Sequence, residues 1–155
     1  MSTITPASSQ RSYSELVWIR LMRVYQQIDR RTAVIMKDYG LSVSRFDVLV
    51  HAGVRDGRTQ QELADAMFVT KGNITQLLDG MEADNLLYRR RRGRTNLIYL
   101  TDKGRECRGQ AMHAQLNAID IAMSALTYDE QEQLGGLLRK IDRHLGNESI
   151  WKEDT

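Results

Sequence analysis

Residues 59–101 change hydrophobic period twice, and this restricts the fold more than any other feature of the chain. Over "TQQELADAMFVTKGNITQLLDGMEADNLL" the apolar residues recur at helical spacing in two short bursts, whereas "LLYRRR" and "NLIYLT" carry the Tyr, Ile and Leu of extended chain on either side of a glycine. The first burst opens at Thr59 with Glu62 three positions on, the S/T-x-x-E capping box, and directs Leu63, Ala64 and Met67 inward. The second opens at Thr70 and turns Ile74, Leu77, Leu78 and Met81 inward, leaving Lys71, Asn73, Thr75 and Gln76 outside. Two short helices, a strand, a tight turn and a returning strand are therefore predicted in that order.

Positive charge is concentrated at that turn. Residues 86–105 hold seven basic side chains (Arg89, Arg90, Arg91, Arg92, Arg94, Lys103, Arg105) against Asp102 alone, while the rest of the chain carries 15 basic and 19 acidic residues. A basic hairpin on an acidic body points to an anionic partner. A helix pair whose second member shows amides, hydroxyls and a lysine, followed by such a hairpin, fits a winged helix-turn-helix that reads DNA. On spacing alone an αα-hairpin with a polar face stays open, as does a solvated basic loop.

The flanks predict helices. "SYSE" (Ser12–Glu15) is a capping box, after which Leu21, Val24 and Ile28 form one stripe and Trp18, Met22 and Tyr25 a second, with Gly40 as the end. "LSVSRFDVLVHAGV" predicts a second helix with Phe46, Leu49 and Val50 inward and Ser42 or Ser44 as cap. After Thr101, a cap with Asp102 at the positive helix end, Met112, Leu116, Ile119, Met123 and Leu126 make a seam; "TYDE" opens a last helix burying Leu134, Leu137, Leu138, Ile141 and Leu145. These helices have more apolar face than one small domain uses, which predicts a dimer; packing of three helices within a monomer is the alternative.

The order of these pieces resembles the MarR family of bacterial winged-helix transcription regulators. "TQQELADAM", "TKGNITQLLDGMEADNLL" and "IYLTDKG" carry the resemblance, the last matching the L-T-x-x-G that commonly ends the second wing strand. It implies a mainly α fold with a small β-hairpin wing: residues 41–101 as the DNA-binding domain, 13–40 and 102–147 as the dimerisation region, 1–12 as a flexible start and 148–155 as a tail. It also implies a homodimer on a pseudo-palindromic operator, usually a repressor released by a small molecule, with no cofactor. Thr59, Gln60, Thr70, Lys71, Asn73, Thr75, Gln76, Arg91, Arg92 and Arg94 are the expected DNA contacts, and Leu116, Ile119, Leu134, Leu137, Leu138 and Ile141 the expected dimer contacts. A pocket for an aromatic or lipophilic molecule, often an aromatic or phenolic acid in the family, is expected near Trp18, Met22, Tyr25 and His51. Family wings commonly carry an aspartate two residues before an arginine, and here that position is Arg92, before Arg94. A wing without that carboxylate is expected to depend on phosphates for its order.

Other classes fit less well. His51, His113, His144 and Cys107 form no acid–base, nucleophile or metal-ligand pattern, so neither an enzyme nor a metal site is expected. Arg105 and Arg108 flank Cys107 and favour a thiolate, which leaves a redox-responsive regulator open. A winged-helix module that docks RNA or an acidic protein surface is the other reading, disfavoured by Asn73 and Gln76, which suit base edges. No apolar run exceeds four residues, the first ten lack a signal-peptide pattern and there is one cysteine, so a cytoplasmic, non-membrane protein is expected.

Overall fold

A computed structural model describes residues 12–146; residues 1–11 of the expected flexible start and the whole expected tail, 148–155, lie outside the described residues. The chain is mainly helical, in the order α1 (Tyr13–Asp38), α2 (Val43–Ala52), β1 (Arg58–Thr59), α3 (Gln60–Ala66), α4 (Lys71–Ala83), β2 (Leu87–Arg92), β3 (Thr95–Leu100), α5 (Asp102–Met123) and α6 (Tyr128–Leu145). Each predicted helix start has its cap: the hydroxyls of Ser12, Ser42, Thr59, Thr70 and Thr127 accept from the backbone N–H three residues on. At Thr59 and Thr127 the box is closed by Glu62 and Glu130. Accepting the threonine N–H, then its hydroxyl, holds both carboxyls below their ordinary range.

The hairpin of β2 and β3 is antiparallel, Arg92 facing Thr95 across a loop of Gly93 and Arg94. Gly93 takes φ +62°, the left-handed conformation required at the first position of this tight turn. Beyond the expected hairpin, the sheet has a third strand: β1 pairs antiparallel with β3, giving the order β1-β3-β2. Two residues carry no alternation, so this strand leaves no pattern in the sequence.

The contacts divide the chain within α5, between Leu116 and Asn117. In the first unit Met36, Leu49, Leu63, Ile74, Leu78, Met81, Leu87 and Ile98 are fully buried, joining α1, α2, α3, α4 and the sheet in one core. Gly104 lies in the first turn of α5, three residues after Thr101. A Cβ on Gly104 would lie 1.9 Å from the Leu86 carbonyl oxygen, so the glycine of "LTDKG" is there for close approach. Thr101 adds its own ties, accepting from Gly104 N–H and donating to the Asn85 carbonyl.

One packing expectation is corrected. Leu134, Leu137, Leu138, Ile141 and Leu145 are not buried within the chain: no residue of α6 is. Leu116 is likewise half-exposed, and Ile119 partly exposed. On α1, Trp18, Leu21, Val24 and Tyr25 are exposed as well, and burial on this helix is confined to Thr32 and Met36 near its end. The stripes read from the sequence exist, but one chain does not cover them.

Candidate nucleic-acid interface

The core fixes which side of α4 faces out. With Ile74, Leu78 and Met81 buried, Asn73 and Gln76 lie away from that face and are exposed, and Lys71 is exposed as the first residue of the helix. Thr75 is half-buried: its hydroxyl donates to the Lys71 carbonyl at 2.8 Å and accepts from the Gln60 amide, tying α3 to α4. The Thr59 and Thr70 hydroxyls are engaged as caps. Of the expected contacts on the two helices, Lys71, Asn73 and Gln76 thus keep uncommitted side chains among the described residues, while Thr59, Gln60, Thr70 and Thr75 also set the helix pair.

The arginine cluster divides according to the strand alternation. Leu87, Arg89 and Arg91 share one face of β2 and Tyr88, Arg90 and Arg92 the other. Arg89 turns back on α4: its guanidinium donates to Glu82 at 2.6 Å, to Asp79 at 2.7 Å and to the Thr75 carbonyl at 3.4 Å, and its backbone N–H donates to Glu82 at 2.9 Å. Arg89 therefore clamps the wing to α4 and does not add to the outward field, a correction to its place in the basic cluster. The signal in the sequence was Asp79 and Glu82, three apart on α4. Arg91 reaches the Gly93 carbonyl at 3.1 Å. Among the described residues, Arg90, Arg91, Arg92 and Arg94 pair with no carboxylate. Tyr88 and Tyr99 stack on the outer face of the hairpin, ring centroids 5.4 Å apart.

A separate cleft of about 350 Å³ opens in the first unit, lined by Tyr25, Asp29, Phe46, Asp47, His51 and Gln115 among others. It brings Tyr25 and His51 together. Trp18 and Met22 do not line it, because they precede Tyr25 on α1 by two turns and one turn. Burial pushes the Asp47 carboxyl above its ordinary range, His51 pulling it down and Asp29 adding to the rise.

Cys107 does not have the setting of a reactive thiol. Burial raises its pKa more than Lys103 lowers it, Glu106 raises it further, and the guanidinium of Arg105 is drawn to Asp56 at 2.9 Å. No group of three His, Cys, Asp or Glu among the described residues is placed to hold a metal ion. No described helix is long and apolar enough to cross a membrane.

Comparison with known proteins places this architecture. Residues 39–95 match the MarR family model, and an HTH-type transcriptional regulator of Bacillus anthracis is 30% identical over 140 residues, 89% of this chain and 95% of that one. The chain belongs to the MarR family. Among solved structures, a MarR-family regulator from Rhodococcus sp. RHA1 shares 25% identity at a TM-score of 0.77, covering 84% of this chain and 95% of its own. CouR from Rhodococcus jostii RHA1, determined with p-coumaroyl-CoA bound, shares 25% at 0.75, covering 84% and 94%. The MarR-family relatives are transcriptional regulators, not enzymes, and this chain is a DNA-binding regulator with the same winged-helix architecture.

Proposed function

We propose that this MarR-family chain is a homodimeric repressor that binds a pseudo-palindromic operator and is released by a small aromatic or lipophilic molecule. In this reading α4 enters the major groove, where Asn73 and Gln76 read base edges and Lys71 meets phosphate, while Arg91, Arg92 and Arg94 follow the backbone or the adjacent minor groove. The observation that carries it is the uncommitted polar side of α4 beside four exposed wing arginines that no carboxylate neutralises among the described residues. The uncovered apolar residues of α1 and α6 support the homodimer, which would hold two reading helices one DNA turn apart. The cleft beside Tyr25 and His51 supports control by a ligand, and the p-coumaroyl-CoA complex of CouR is a precedent. Work on DNA would place the protein in the cytoplasm.

Anisotropy titrations on the DNA upstream of its own coding sequence test the reading. Gln76→Ala should lose about 1–3 kcal/mol on the operator, relax the preference at one base position and leave random DNA unaffected. Unchanged relative affinity for operator and random DNA would remove Gln76 from base reading. Equal binding to RNA would favour the interaction-module alternative.

A further inference from the structure

The cleft has a chemistry opposite to that of a site for aromatic acids. Among the described residues no lysine or arginine lines it, whereas Asp29 and Asp47 both do. Gln115 in its wall is only 9% exposed, and its Oε1 has no hydrogen-bond partner among the described residues. Which end of that amide is free follows from its neighbour. The Thr32 hydroxyl donates to the Ile28 carbonyl at 3.0 Å, so toward Gln115 it can only accept, and the amide nitrogen donates to it at 2.8 Å. The free atom is thus a carbonyl oxygen, whose partial negative charge stands in the cleft wall with no donor among the described residues.

The electrostatics agree with that geometry. Burial raises the cost of the Asp47 charge and Asp29 adds like-charge repulsion, both of which a cation in the cleft would offset and an anion would aggravate. Among the described residues that line it, His51 alone can carry positive charge. Tyr25 and Phe46 provide aromatic faces and Met67 a thioether, surfaces that suit an apolar body bearing a delocalised positive charge.

We propose that this cleft binds an organic cation, a protonated amine or amidinium on an aromatic-sized apolar body, with its N–H groups directed to Asp29 and Asp47, and that it excludes aromatic carboxylates. The proposal rests on the reading that the cleft is an effector site and assigns that effector its chemical class.

Benzamidinium and benzoate, planar probes of similar size and opposite charge, test it by calorimetry on the full-length protein without DNA. Benzamidinium should bind at least about tenfold more tightly than benzoate, and Asp29→Asn and Asp47→Asn should each weaken it about tenfold, the effect of losing one charge-assisted hydrogen bond. Both variants must melt as cooperatively as the wild type. An amide shift map with benzamidinium, which requires no variant, should centre on Asp47 and Gln115. Equal binding of benzoate, unaltered affinity in both variants, shifts centred elsewhere, or no binding of either probe up to about 10 mM would overturn the proposal. Release of operator is measured separately. Cation binding at the cleft without release would leave this assignment standing and remove the ligand-released repressor, whereas release by benzoate with no cation binding would do the reverse.

Discussion

Glu82 grips Arg89 twice, accepting the guanidinium at 2.6 Å and the backbone N–H at 2.9 Å, so the carboxylate of one α4 residue fixes both the side chain and the main chain of β2. With Asp79 on the same guanidinium at 2.7 Å, the wing is registered against α4 by an arginine that is largely buried. The charge that holds the wing is thereby separated from the charge that it displays.

This separation predicts two kinds of arginine variant. Arg92→Ala and Arg94→Ala should each lower the slope of log affinity against log salt by about 0.9, the release accompanying one phosphate contact. Arg89→Ala should weaken binding without a like change in slope, and should lower stability by about 1–3 kcal/mol because Glu82 and Asp79 lose their shared cation. Anisotropy across a salt series and urea unfolding separate them. A full unit of slope lost in Arg89→Ala would put that side chain on DNA after all.

At the turn between α3 and α4, Phe68 takes φ 54° and is 97% exposed. A bulky residue in left-handed conformation costs about 1–2 kcal/mol, and nothing among the described residues covers its ring to offset this. Phe68→Gly should therefore stabilise the protein by about 0.5–1 kcal/mol, the relief being partly cancelled by the greater freedom of glycine in the unfolded chain. Urea midpoints measure it. A destabilised variant would show that the ring packs against a surface in solution.

Asp47 predicts a pH dependence of definite sign. Its carboxyl is raised from an ordinary value of 3.8, so the folded chain keeps that proton to higher pH than the unfolded chain does. Its contribution to stability is present below 3.8, declines as pH rises through the interval up to the raised value, and is constant above it. Asp47→Asn removes the titration. It should match the wild type at the acid end and exceed it at neutral pH by less than about 1 kcal/mol, because the carboxyl is partly solvated and screened. Melting across pH checks this, and parallel profiles for the two proteins would contradict it.

The helices and the hairpin were legible because their signals are local: a hydroxyl and a carboxylate three apart, a change from helical to alternating period, a glycine at the turn. Residues 73 and 76 could be assigned outward once 74, 78 and 81 were assigned inward, whereas 71 shares their stripe and is exposed as the first residue of the helix. What stayed hidden depends on distant pairs. Arg89 could not be separated from its four neighbours without knowing that β2 returns to Asp79 and Glu82, and β1 exists only because Arg58 and Thr59 meet Ile98 and Leu97. The cleft was hidden for the same reason: Thr32 and Gln115 lie on different helices, and neither Asp29 nor Asp47 belongs to a motif.

The uncovered stripe of α6 gives the last prediction. Leu137 is 61% exposed and Ile141 47%, and with Leu134, Leu138 and Leu145 they form one face of a helix in which nothing is buried. A contiguous apolar surface of this kind marks an interface, and in a homodimer a second copy would cover it. Replacing Leu137 and Leu138 together by aspartate would set two charges in that interface without removing a contact from the core of either chain. The variant should be monomeric at micromolar concentration by light scattering while unfolding as cooperatively as before. Its affinity for a palindromic operator should fall by about 10²–10⁴, since the second half-site reader is no longer held at high effective concentration. Binding to an isolated half-site should change little. A double variant that remains dimeric would exclude this face of α6 from the interface and leave the exposed residues of α1 to form it.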